Sequence, residues 1–183
     1  MRRKILILTV ISALVGLSLA AQTAPKSPAP VKPATPNLRV DSNLLQLMRG
    51  VLYPEANVVF FSQNENPAEI KFPAGQDPSL ATDPLVSTFG GWQAVENAAL
   101  ALSESANLLL IPGRMCANGV PVPMDNPDWA KFVQELRDAG TKAYAAAQTK
   151  NQDKMIEASD ALNSSCANCH RKWREKRLPD RCK

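Results

Sequence analysis

Cys166, Cys169 and His170 are the residues of this chain best suited to chemistry. They stand as Cys166-Ala167-Asn168-Cys169-His170, and His170 is the sole histidine among 183 residues. C-x-x-C-H is the sequence that attaches a c-type haem: two thiols add across the vinyl groups of the porphyrin, and the next residue presents an imidazole to the iron. On a helix, positions i, i+3 and i+4 share one face, so all three side chains can meet one porphyrin without breaking the helix. With one histidine, the iron receives one imidazole from this chain and no more. Other chemistries use the same residues. Cys166 and Cys169 could form a structural disulfide, or join His170 and one of Cys116 or Cys182 around zinc. Zinc sites usually show a second closely spaced ligand pair, whereas Cys116 and Cys182 are single and far apart. A thioredoxin-like redox pair lacks its βαβ surroundings.

Four segments with helical periodicity must position these residues. The first begins near Asp41 or Ser42, either of which can cap it, and puts Leu44, Leu47, Met48 and Val51 on one face. Pro54 is expected to interrupt or kink it, with another turn or two over 57–62. A polar connection with prolines at 67, 73, 78 and 84 fills 63–87. The second helix, 88–110, steps Trp92, Val95, Ala99, Leu102, Ala106 and Leu109 at alternating spacings of three and four, a bundle seam. Pro112-Gly113 ends it, and a loop through Cys116 follows. Asn126-Pro127 opens the third helix with a cap and a first-turn proline, carrying Trp129, Phe132, Leu136, Ala143 and Ala147 in a stripe. Asn151 turns the chain into the fourth, whose seam is Met155, Ser159, Leu162, Cys166, Cys169 and Trp173. No segment alternates as a strand does. The expected fold is all-α, an antiparallel four-helix bundle with haem on its last helix.

The first 37 residues read differently. Arg2, Arg3 and Lys4 precede an apolar run over 5–19, and Ser18-Leu19-Ala20 supplies small residues for cleavage after Ala20, so 1–20 is expected to be a secretory signal peptide. The run is short for a bilayer span, which disfavours stable membrane insertion. Residues 21–37, with prolines at 25, 28, 30, 33 and 36, form an extended spacer. One domain occupies 38–183. Three of the 21 Lys and Arg belong to the leader, so the remainder nearly balances the 17 Asp and Glu. Basic residues concentrate in 171–183, too small a patch for a nucleic-acid surface. It suits an acidic redox partner, haem propionates or the dipole at a helix end. Export to the periplasm fits thioether attachment of haem. In an exported protein Cys116 and Cys182 most often bond to each other, with free thiols or an intermolecular bridge as the alternatives.

With the attachment motif at the end of the last of four helices, the chain resembles the class II cytochromes c, the cytochrome c-prime group and its low-spin, methionine-ligated relatives. The likeness covers roughly 38–177. It rests on Cys166-Ala167-Asn168-Cys169-His170 followed by Arg171-Lys172, and on Leu47-Met48-Arg49-Gly50, which looks like the Met-Lys-Gly segment where low-spin members place their sixth iron ligand. The resemblance implies one covalent haem c held by Cys166 and Cys169, His170 as proximal ligand and Met48 as candidate distal ligand. Many members carry an arginine one turn before that methionine; Leu44 stands there, and Arg49 could take over the propionate contact. The long segments 63–87 and 112–127 set the chain apart as a divergent branch. Periodicity alone reads Met48 equally as a core filler. Met115 and Met124 fall in a loop, and Met155 lies about 16 Å along the helix from Cys166. Trp92, Trp129, Trp173, Phe60 and Phe61 could stack on a porphyrin, Trp173 most directly, although seam aromatics are usually core.

Two functions follow. A thioether opposite histidine gives a low-spin iron of raised potential, hence a periplasmic carrier of single electrons between periplasmic or membrane redox proteins. With no methionine on the iron, an apolar distal pocket near Leu44 or Leu47 would bind nitric oxide or carbon monoxide. A structural zinc or disulfide protein is the third reading. Nothing suggests an enzyme: no paired carboxylates, no nucleophile with a free base and no glycine-rich phosphate loop stand in the sequence. The resemblance also implies that a homodimer through the first two helices is possible.

Overall fold

A computed structural model describes residues 38–175 and Cys182. The expected signal peptide, 1–20, the expected spacer, 21–37, and the basic residues Lys176, Arg177, Arg181 and Lys183 lie outside the described residues.

The first helix, α1, starts at Leu44. Asn43 caps it: its side chain accepts the Gln46 N–H at 2.9 Å, and the Gln46 side chain accepts the Asn43 N–H at 2.9 Å, a reciprocal capping box. The start therefore falls later than Asp41 or Ser42 suggested, since both are otherwise engaged. Asp41 pairs with Arg39 at 2.9 Å, and Ser42 accepts from Arg114. Pro54 does not break the helix. The chain runs from an α turn, Leu44–Leu47, through a π turn, Met48–Leu52, into an α segment, Tyr53–Asn64. Proline has no N–H for the Gly50 carbonyl, and its ring crowds that carbonyl. A wider turn, in which the Tyr53 N–H reaches the Met48 carbonyl, absorbs both problems without ending the helix.

The second helix, α2, spans Trp92–Ser105 and tightens into a 3-10 turn, Ala106–Leu110. It starts four residues after 88 because Gly90 and Gly91 close a turn there: the Gly91 N–H donates to the Leu85 carbonyl at 2.8 Å, with Gly91 at φ +60°. All six seam residues, Trp92 to Leu109, are buried. Helix α3 is Pro127–Gln148, capped by Asn126 onto the Asp128 N–H; α4 is Gln152–Trp173, capped by Asn151 onto the Lys154 N–H. Three residues, 149–151, join them, with Lys150 at φ 52°. So short a link makes the two antiparallel neighbours.

α1 packs on α2 and α4, α2 on α3, and α3 on α4, which closes a four-helix, all-α bundle. No strand occurs among the described residues, only an isolated bridge between Met115 and Pro121. Gly140 lets α3 approach α2 closely, since a Cβ there would meet the Ser103 backbone nitrogen at 2.8 Å and the Ala99 carbonyl oxygen at 3.0 Å. Gln152 donates to the carbonyls of Ser62 and Gln63, satisfying last-turn acceptors of α1. No helix among the described residues is long and apolar enough to cross a membrane. On α3 the buried stripe is Trp129, Val133, Leu136, Ala143 and Ala147. Phe132, expected in that stripe, is only half-buried; it faces a cavity instead.

Candidate functional site

That cavity, about 550 Å³, is walled by all four helices. α1 contributes Met48, Arg49, Leu52, Tyr53, Ala56 and Phe60; α2 and its 3-10 extension contribute Leu102 and Leu109; α3 contributes Trp129, Phe132, Val133 and Leu136; and α4 contributes Cys166, Cys169 and His170. A smaller cavity of about 250 Å³ shares Met48, Arg49, Trp129, Cys169, His170 and Arg174 and adds Leu44, Trp173 and Cys182. Volumes of this order accept a cofactor-sized ligand.

Helix periodicity brings Cys166, Cys169 and His170 to one face of α4, and contacts on its flank fix the rotation. Asn168 donates to the Glu135 carboxylate of α3 at 3.0 Å, and Lys172 pairs with Asp128 in the first turn of α3 at 2.8 Å. Leu162, one turn before Cys166, is fully buried. The motif thereby sits where α4 leaves the solid core and borders open apolar space.

Both thiols are free and half-buried, so they are not bonded to each other. Burial, then the neighbouring Cys166 and Glu135, pushes the Cys169 thiol up to about 12. Burial also raises Cys166, against a hydrogen bond from Ser165 that lowers it. Both therefore stay protonated at neutral pH. His170 is shifted the other way: burial first, and the Arg174 charge second, lower its pKa. Its imidazole is neutral at pH 7 and keeps the lone pair a metal needs. Cys116 and Cys182 are joined in a disulfide with Cα atoms 5.2 Å apart, so neither thiolate is available to the zinc site considered above. Among the described residues no cluster of three or more His, Cys, Asp or Glu could hold a metal ion.

A haem fits this donor set: two unpaired neutral thiols, a neutral imidazole and a thioether border one apolar space. The structure brings together Met48, Arg49, Cys169 and His170 on both cavities, Cys166 on the larger and Trp173 on the smaller. Trp173 is buried, its ring 6.0 Å from that of Trp129 at 60°. Phe60 borders the larger cavity, whereas Phe61 is exposed and Trp92 belongs to the core. Met155 is core, Met115 is exposed, and neither they nor Met124 border either of these two cavities. Of the two leucines expected in a distal pocket, Leu44 borders the smaller cavity, but Leu47 is buried away from both. Leu45 and Leu52 take that place. Sequence reasoning missed Tyr53 and Arg174 as residues of this site. Arg174 was open to discovery, since it follows His170 by one helical turn. Phe132 was named, but as core.

Compared with models of protein families, with curated proteins and with solved structures, the chain has no match.

Proposed function

We propose that this chain is a periplasmic mono-haem c-type cytochrome that carries single electrons, of the methionine-ligated class II kind. One observation carries the reading: a single apolar cavity is bordered at once by Cys166, Cys169, His170 and Met48. When bound, a haem would supply a one-electron iron couple, with a potential that thioether ligation would raise. The chain's residues do the rest. Cys166 and Cys169 offer neutral thiols for the two thioether bonds, His170 offers a neutral imidazole, and Met48 offers its sulfur from α1. Leu52, Phe60, Leu102, Phe132 and Leu136 keep water from the site. Arg49 and Arg174, both exposed, place cations at the rim, where propionates or an acidic periplasmic or membrane redox partner would meet them.

The test is an absorption spectrum of the reduced protein, produced in a host that forms thioether haem, with and without carbon monoxide. Sharp low-spin bands, indifferent to carbon monoxide, are expected, with Met48→Ala giving a high-spin spectrum that responds promptly. A wild-type protein that is high-spin and takes up carbon monoxide at once would instead be a gas-binding protein of the cytochrome c-prime kind, and the electron-carrier reading would fall.

A further inference from the structure

The loop between α2 and α3 touches the helices of both axial-ligand residues named above, and it does so through three consecutive residues. Arg114 is 5% exposed, and no ion pair among the described residues includes it. Its guanidinium donates to the Ser42 carbonyl at 2.7 Å and the Ser42 hydroxyl at 3.1 Å, just before α1. It also donates to the Leu108 carbonyl at 3.2 and 3.3 Å, in the 3-10 turn after α2. Met115 follows: its carbonyl accepts the Leu44 N–H at 2.8 Å, one of the first-turn donors a helix leaves unsatisfied. Leu44 stands one turn before Met48. Cys116 then bonds covalently to Cys182, whose N–H donates to the Trp173 carbonyl at 3.1 Å, three residues past His170. Cys182 itself borders the smaller cavity together with Met48 and His170.

Among the described residues the Arg114 guanidinium has carbonyls and a hydroxyl for partners, and burying it there costs more desolvation than a methionine of similar length would. What the arginine adds is several directed bonds to points distant in sequence. The segment it anchors also needs anchoring: Met48 opens a π turn, and a helix entry free to rotate could relax that turn toward α geometry and swing Met48 away.

We infer that Arg114, Met115 and Cys116 form a clamp joining the entry of α1 to the exit of α4, with Arg114 a positioning residue that keeps Met48 directed at the haem site. The inference rests on the haem reading given above. It is tested on haem-loaded protein carrying Arg114→Met, Arg114→Lys or the pair Cys116→Ser and Cys182→Ser. Haem per chain by pyridine haemochrome should stay at the wild-type level. The methionine–iron charge-transfer band should weaken in Arg114→Met, recover in part in Arg114→Lys, and weaken in the disulfide variant. Carbon monoxide uptake should speed up by at least about tenfold in Arg114→Met, the factor for losing even one of these hydrogen bonds from a charged donor.

A second measurement stands apart from the haem. In the haem-free chain, amide exchange at 44–52 and 170–174 should rise about tenfold in Arg114→Met, with 95–102 unchanged. Exchange that is unaltered, or raised equally throughout, overturns the clamp. So does a charge-transfer band that survives both Arg114→Met and loss of the disulfide, or one missing from haem-loaded wild type. A wild-type chain that takes up no haem defeats the proposed function alone, and the exchange measurement then decides the clamp. Should Arg114→Met fail to fold, the disulfide variant carries both measurements.

Discussion

His170 is neutral because burial and Arg174 both disfavour its charged form, and the two cysteines beside it are neutral because burial disfavours thiolate. Two thiols and an imidazole are thus uncharged in one apolar space. Replacing both Cys166 and Cys169 by alanine should abolish haem retention through acid–acetone extraction, while either single change should leave one thioether bond. Retention of colour by the double variant would show attachment elsewhere. Glu55 on α1 gives a pH-dependent outcome away from the site. Burial raises its pKa above the ordinary 4.5, so the folded chain binds more protons than the unfolded chain across that window. Stability then falls as pH rises from about 4.5 through the folded-state pKa. Glu55→Gln should flatten that stretch of the urea-midpoint profile; an unchanged profile would contradict the assignment. At this scale spacing was informative, because i, i+3 and i+4 define a helix face whatever the tertiary structure. Phe132 was not legible as a cavity residue, because its role depends on how α3 is rotated against its neighbours.

Helix boundaries and turns decide where those residues point. The π turn Met48–Leu52 follows from Pro54, yet a proline read from sequence alone signals a break. Only the packing of both flanks, Leu47 before it and Ala56, Val58 and Val59 after it, keeps the helix continuous. Pro54→Ala restores the missing N–H and lets the turn close. The expected result is a chain of equal or higher melting temperature whose Met48 contacts change, seen as an altered haem spectrum. A spectrum identical to wild type would mean that the π turn does not direct Met48. Gly140 is the matching test between helices. Because a Cβ there meets backbone of α2 rather than flexible side chains, Gly140→Ala should cost about 1–3 kcal/mol by overpacking, read from denaturant unfolding. The cap at Asn126 was legible in sequence because it acts locally; Asn151 was read as the turn into the last helix, and its capping of the Lys154 N–H came from the structure. The Asn43 capping box, formed with Gln46, was not singled out, since Asp41 and Ser42 offered competing caps two residues earlier.

At the scale of the molecule, the four-helix architecture was legible because the seams of the second and fourth helices step at alternating three and four residues and the other two segments each carry an apolar face at helical spacing. The cavity was not, because empty space between helices leaves no mark on any one of them. The Cys116–Cys182 link across 66 residues was open to a compositional argument, but what it holds together emerges only from the contacts of Leu44, Arg114 and Trp173. Its removal should lower unfolding free energy by about 2–5 kcal/mol, and a smaller loss would point to residual order in the unfolded chain. The account as a whole turns on covalent haem. Intact-mass measurement of the protein from a host competent in thioether attachment, paired with a pyridine haemochrome spectrum, tests it most directly. The expected result is polypeptide plus one haem; a colourless protein of bare polypeptide mass would contradict it.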